Sequence, residues 1–333
     1  RGETKYTPVL GIQPLREAIA RKFKRENGLD YKWTQTIVGT GGKHVLFNAF
    51  MATMNPGDEV VIPAPYWVSY PDMVLLCGGN PVFVPCTMEH NFKLQPEALE
   101  KAITPRTKWL ILNSPSNPTG AAYTRAELKA VGEVLKRHPH VWVLTDDMYE
   151  HLVFDGLQHL ALSALPGMRE RTVVISSGGK TFNTTGWKIG WVCGPAEVVA
   201  AIRTAKQFLT YVNGGPFQPA IAVGLGLPDS FYANLAADLQ AKRDRLMPGL
   251  LKAGFTVFPT QSTYFVTVDI RPLQPDGDGM AFCRALPHRV GVVAIPTEVL
   301  YTNKHEGRHL VRFAFCKQLS VLDEAVTRLQ QLG

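Results

Sequence analysis

At 333 residues the chain exceeds one typical domain, so a large unit with a smaller one is the natural expectation. Its 45% hydrophobic and 19% charged residues are globular values and exclude a disordered chain. The formal charge of +7 is scattered, without a dense Lys/Arg run or an aromatic-interleaved basic patch, which favours small anionic ligands and excludes nucleic acid as a partner.

The 5 cysteines are an odd number without C-x-x-C spacing, arguing for a reducing compartment and against a disulfide framework or a zinc site. No stretch at the start reads as a signal peptide. The longest uncharged run, Gln207 to Pro228, is broken by Asn213, Gly214, Gly215, Pro216 and Pro219 and makes a poor membrane span. A cytoplasmic protein with no membrane partner is expected.

In chain order, Pro14 to Glu26 reads as an amphipathic helix, with Leu15, Ile19 and Phe23 spaced by four. Strands are then expected at Thr36–Gly39, Glu59–Ile62, Pro81–Val84, Trp109–Asn113, Val141–Thr145, Thr172–Ser176 and Ile189–Cys193. Helices are expected at His44–Met54, Trp67–Cys77, Gln95–Ala102 and Arg125–Arg137. Continuous apolar strands alternating with helices predict an α/β fold, a mostly parallel seven-stranded sheet covered on both faces. Ligands of such sheets sit at the carboxyl ends of the strands, and Gly41, Gly42, Asn113–Gly120, Asp146 and Lys180 all fall there.

Beyond Pro195 the pattern changes. A helix over Glu197–Leu209 leads through Gly214-Gly215-Pro216 into two helical stretches, the second over Phe231–Leu251. Strand Tyr264–Val268, helix Gly279–Leu286, strands Val292–Ile295 and Leu310–Phe315, and helix Val321–Leu332 complete a smaller α+β unit. The expected division is 11–212 for the large unit and 213–333, with 1–10, for the small unit and its connecting long helix.

The chemistry centres on Ile175-Ser-Ser-Gly-Gly-Lys180-Thr-Phe-Asn-Thr-Thr-Gly-Trp-Lys188. An amine partly withdrawn from water loses its proton readily and forms a Schiff base with an aldehyde. Ser177 and Lys188, a hydroxyl and a cation flanking Lys180, suit a phosphate. An aldehyde and a phosphate on one ring suggest pyridoxal 5'-phosphate, although a solvated lysine in a glycine turn is the ordinary fate of that residue type. Gly41-Gly42-Lys43 follows a strand and opens a helix, where backbone N–H groups favour a phosphate. Trp67 offers a flat surface for an aromatic ring or is simply core. Asn117, before a proline, is also a turn signal. Asp146 follows an apolar strand with Tyr149 close behind. Arg312 stands inside an apolar strand, where a charge needs a partner: a ligand carboxylate or a structural salt bridge.

Read with Tyr6, with Pro63-Ala-Pro-Tyr-Trp67-Val-Ser-Tyr-Pro71, Asn113-Ser-Pro-Ser-Asn117-Pro-Thr-Gly120, Thr145-Asp146-Asp-Met-Tyr149-Glu150 and Leu310-Val-Arg312-Phe-Ala-Phe315, this stretch resembles the class I/II, fold-type I aminotransferases over essentially the whole chain. The resemblance implies Lys180 as the cofactor-bearing base, Asp146 on the pyridine nitrogen, and Tyr149 and Asn117 on the ring's phenolic oxygen. It also implies Trp67 stacked on one ring face with Met148 on the other, and Gly41, Gly42, Ser177 and Lys188 around the phosphate. Lys188 stands where many relatives carry Arg, keeping the charge but losing the two-bond fork. Asp147 stands where the family often has Glu and receives no role.

By the same resemblance Arg312 binds the substrate α-carboxylate, and Tyr6 reaches the phosphate of a neighbouring subunit, implying a homodimer with shared sites. In the family, residues preceding the position of Arg1 carry an arm over the partner and a glycine turn beside the substrate carboxylate; these are expected to be missing here. Residues 1 to about 160 look closest to bacterial aspartate/prephenate aminotransferases, in which a lysine matching Lys43 meets a distal carboxylate. From Ile175 onward the chain looks more like N-succinyldiaminopimelate, kynurenine or methionine aminotransferases, a division that a chimeric origin would explain. Transfer from an L-amino acid, aspartate first, to 2-oxoglutarate or a similar 2-oxo acid is expected; a C–S β-lyase is the rival chemistry.

Overall fold

The structure, a computed structural model, describes Gly2 and residues 4–332. The chain runs α1 (Gln13–Asn27), β1 (Thr36–Thr40), α2 (Gly41–Thr53), β2 (Glu59–Ala64), α3 (Ser69–Leu76), β3 (Asn80–Pro85), α4 (Pro96–Ala102), β4 (Thr107–Asn113), α5 (Arg125–Arg137), β5 (Trp142–Asp146), β6 (Thr172–Ser177), α6 (Gly178–Thr181) and β7 (Ile189–Cys193). It continues through α7 (Ala196–Leu209), α8 (Gln218–Gly224), α9 (Asp229–Lys252), β8 (Thr256–Val257), β9 (Phe265–Asp269), α10 (Gly279–Val290), β10 (Ile295–Pro296), α11 (Lys304–Gly307), β11 (Leu310–Ala314) and α12 (Leu319–Leu329).

These elements follow local chemistry. In α1, Pro14 fits the first turn, Leu15, Ile19 and Phe23 are buried, and Gly28 at φ 66° closes the helix with its N–H on the Phe23 carbonyl. In α5, Thr124 and Glu127 form a reciprocal capping box. Strand β6 is buried along its whole length, as a central strand covered on both faces must be.

The seven strands stand in the order β1-β7-β6-β5-β4-β2-β3. The expected mostly parallel sheet is present with one departure: β7 runs antiparallel to both β1 and β6. That reversal brings Lys188, immediately before β7, to the edge where β1 and β6 end, since Thr40 pairs with Ile189 and Ser177 with Gly190. A parallel β7 would start at the opposite edge. Ile37, Phe50, Val60, Trp109 and Ile202 fill one face of the sheet, and Leu110, Leu135, Val143 and Met168 the other.

A second sheet, β10-β11-β9-β8, is antiparallel throughout and packs with α9, α10 and α12 around Phe255, Leu286, Phe313 and Leu322. The expected strand Val292–Ile295 shifts to Ile295–Pro296, because only these two residues pair with β11. Helix α2 starts at Gly41, three residues before the expected His44. Near the expected unit limits, Leu10 packs beside the large sheet, and α8 joins α1 through Ile221 and Leu225. We therefore propose the division at the start of α9, with Leu10 on the large unit; positions 1, 3 and 333 of the expected limits lie outside the described residues.

Candidate active site

Register alone assembles the floor of the site. Asn113 pairs with Asp146 and Asp146 with Ile175, so the carboxyl ends of β4, β5 and β6 lie side by side. Above them is a cavity of about 330 Å3 lined by Gly41, Gly42, Lys43, Trp67, Asn117, Asp146, Tyr149, Ser177, Lys180 and Lys188. With Met148, eleven of the thirteen residues given a role from sequence thus line one space. Arg312 joins it by donating from Nη1 to Asn117 Oδ1 at 2.7 Å. Tyr6 does not: it is 80% exposed and stands edge-on to Tyr211 at 5.4 Å. Met148 lines the same cavity and lies against Gly42, where a methyl group would fall 1.4 Å from its Cε.

Asp146 is buried and held from two sides: the Tyr70 hydroxyl donates to Oδ2 at 2.6 Å, and the Met148 amide to Oδ1 at 3.3 Å. Burial outweighs these bonds and pushes its carboxyl up to about 6. Asn113 fixes the neighbourhood, donating to the Asp146 carbonyl at 2.8 Å and accepting the Asn117 amide at 2.8 Å. Lys180, half-buried on α6, donates to the Tyr264 hydroxyl at 2.8 Å. Ser177 caps α6, its hydroxyl accepting the Gly179 amide at 3.3 Å. Burial drives the Tyr149 phenol well above its ordinary range and lowers the Arg312 guanidinium, which stacks 4.1 Å over Phe265. Lys43 places its ammonium 4.8 Å over the Trp67 ring.

Helix α2 opens on the cavity with no side-chain cap and no acidic residue in its first turn, leaving its N-terminal amides for an anion. Gly41 takes φ +79°, and the Lys188 amine lies 3.3 Å from where its Cβ would be. Gly190 closes the contact, since a Cβ there would meet the Gly41 carbonyl carbon at 2.4 Å. Behind the lysine turn, Lys22 pairs with Glu150, Ser176 donates to Glu150 at 2.8 Å, and His151 bridges Glu26 at 2.9 Å and Thr181 at 2.8 Å. Coulombic attraction to Lys22 overcomes burial to hold Glu150 low, and Glu26 sits at about 2 because bonds from His151 and the charge of Lys22 outweigh its own burial.

Among the described residues, none of Lys180, Lys188 and Arg312 forms an ion pair, and Asp146 faces the cavity without a cation in bonding contact. A ligand carrying a protonated ring nitrogen, a carbonyl carbon and a phosphate meets each need, so the residues fit pyridoxal 5'-phosphate. Sequence reasoning missed Tyr70 and Tyr264 as functional groups. Tyr70 was inside a quoted motif, but its partner Asp146 is 76 positions away; Tyr264 is 84 positions from Lys180.

The family model for class I and II aminotransferases matches residues 1–329. A probable N-succinyldiaminopimelate aminotransferase of Mycobacterium tuberculosis is 45% identical over 100% of this chain and 86% of its own length. A probable aspartate/prephenate aminotransferase of Rhizobium leguminosarum is 64% identical over 80% of this chain and 66% of its own. The solved N-succinyldiaminopimelate aminotransferase of M. tuberculosis superposes with TM-score 0.96 at 46% identity, covering 100% of this chain and 86% of that one.

Proposed function

Since this chain belongs to the class I and II aminotransferases, enzymes that work with pyridoxal 5'-phosphate, we propose that it moves the amine of an L-amino acid, aspartate first, to 2-oxoglutarate or a similar 2-oxo acid in a ping-pong cycle. The observation that carries this is the meeting, around one cavity, of a buried carboxylate, a half-buried amine and a guanidinium without ion-pair partners. Bound there, the cofactor supplies an aldehyde for the amine and a ring that accepts the electron pair left at the donor carbon.

Lys180 takes the proton from the donor Cα and returns one to the product side. Asp146 holds a proton on the ring nitrogen, and Tyr149 and Asn117 bond the phenolic oxygen. Trp67 covers a ring face, while Gly41, Gly42, Lys43, Ser177 and Lys188 receive the phosphate. Arg312 grips the donor α-carboxylate in a two-bond fork, with Asn117 steadying it. Lys43 meets a distal carboxylate at the mouth.

Identity of 64% to an aspartate/prephenate enzyme, over 80% of the chain, supports an aspartate donor. N-succinyldiaminopimelate is the second donor, supported by the relative that spans the whole chain. A homodimer with Tyr6 reaching across is supported by exposed aromatics: Trp187, between the cavity-lining Thr185 and Lys188, stacks on Phe217 at 5.0 Å, and Phe208 is 85% exposed. Five free cysteines support the cytoplasm. Among the described residues no helix is long and apolar enough to cross a membrane.

A donor panel with 2-oxoglutarate, following cofactor absorbance, tests the reading. Aspartate is expected to show the highest kcat/KM and, without acceptor, to yield no more than one keto product per bound cofactor. Steady release of ammonia and pyruvate from a cysteine conjugate without any 2-oxo acid, with no transfer in its presence, would instead show a β-lyase.

A further inference from the structure

The Lys180 amine has one hydrogen-bond partner among the described residues, and it comes from the other unit: the Tyr264 hydroxyl at 2.8 Å. The amine lies beside a pair of aromatic rings whose centres are 5.4 Å apart, 5.5 Å from the centre of Tyr264 and 5.6 Å from that of Tyr149. A long lysine side chain loses much rotamer freedom when its tip is fixed, so a partner already in place spares that loss at the moment of reaction. A phenol both donates and accepts, so it can bond the amine with or without its extra proton.

Tyr264 is also joined to the carboxylate-binding side. It immediately precedes β9, and its carbonyl accepts the Phe315 amide at 2.9 Å just beyond β11. In the same ladder Phe265 pairs with Ala314 and Thr267 with Arg312. The Tyr264 ring tilts against Phe265 at 4.5 Å, and the Arg312 guanidinium covers Phe265 at 4.1 Å. Tyr264, Phe265 and Arg312 therefore form one stack on one pair of strands.

We propose that Tyr264 is a further catalytic residue, whose hydroxyl holds the free Lys180 amine toward the cavity and ties its placement to the strands that carry Arg312. The proposal rests on the function proposed above. In capture of the cofactor, the Lys180 nitrogen bonds the aldehyde carbon while the carbonyl oxygen leaves as water with two protons; Tyr264 acts by keeping the nitrogen in place.

Cofactor-free full-length protein is mixed with pyridoxal 5'-phosphate, and covalent capture is followed by absorbance for wild type, Tyr264→Phe and Lys180→Ala. Tyr264→Phe keeps the ring and removes one oxygen. Capture is expected to slow roughly tenfold, the worth of one hydrogen bond to a charged group, with kcat falling alike, donor KM little changed and the melting temperature held. Wild-type capture and kcat in Tyr264→Phe overturn the proposal, as does slower capture that tracks a lower melting temperature and is equally produced by Phe265→Leu, which keeps the phenol. Covalent capture by Lys180→Ala would sink the wider functional reading instead.

Discussion

At Asp146 burial sets a conflict between folding and function. A carboxyl raised from its usual 3.8 to about 6 is held ionised at a cost above pH 6, and that cost fades as pH falls from 6 toward 3.8. Asp146→Asn is therefore expected to stabilise the cofactor-free protein at pH 7 by on the order of 3 kcal/mol and to leave it unchanged near pH 3.5. The same variant should bind cofactor more weakly, because the ring nitrogen loses its carboxylate; melting curves with and without cofactor read both effects. Glu26, held at about 2, has the opposite sign: its stabilising contribution is present above pH 4.5 and lost as pH drops toward 2. Arg312→Lys should raise donor KM by roughly 1.5–3 kcal/mol equivalent with little change in melting temperature, since no carboxylate among the described residues pairs with the guanidinium in the fold. A large drop in melting temperature would instead show that its bond to Asn117 Oδ1 supports the fold. Residues whose chemistry is declared by a local motif, Lys180 and Asp146 above all, were legible. Tyr70 and Tyr264 were not, because a tyrosine in an apolar run looks like core until the chain brings its hydroxyl to a distant partner.

Helix α2 and strand β7 together make the anion cradle. Gly190 contacts Gly41 backbone to backbone, so a methyl group there, 2.4 Å from a carbonyl carbon, can be relieved only by moving β7 from the helix N-terminus. Gly190→Ala should cost about 2 kcal/mol or more in stability and weaken binding of inorganic phosphate and cofactor alike. Gly42→Ala collides only with the flexible tip of Met148, and a smaller loss is expected. Equal losses in calorimetric titration would argue against a cradle built on the β7 contact. The direction of β7 was the main element-level feature hidden from sequence. A five-residue run of buried residues looks the same whether the strand runs up or down, and only its pairing with β1 and β6 shows the reversal. The strand-helix alternation before it was legible because each apolar run is bounded by turn residues and followed by a helical period.

For the whole molecule, the exposed rings of Tyr6, which meets Tyr211, of Phe208, and of the stacked pair Trp187 and Phe217 predict a second copy. Sedimentation should give a dimer, and Tyr6→Phe should weaken cofactor retention although Tyr6 stands outside its own chain's cavity; a monomer with full cofactor affinity contradicts the shared site. The substrate remained less legible than the reaction because donor choice depends on side chains at the mouth, such as Lys43, whose ammonium over Trp67 is one exposed contact. The proposed chemistry depends most on one covalent link. Reduction of the purified, cofactor-loaded protein with borohydride, followed by proteolysis and mass mapping, is predicted to find the phosphopyridoxyl group on the peptide containing Lys180; its recovery on a different lysine, or no fixed cofactor at all, contradicts the account.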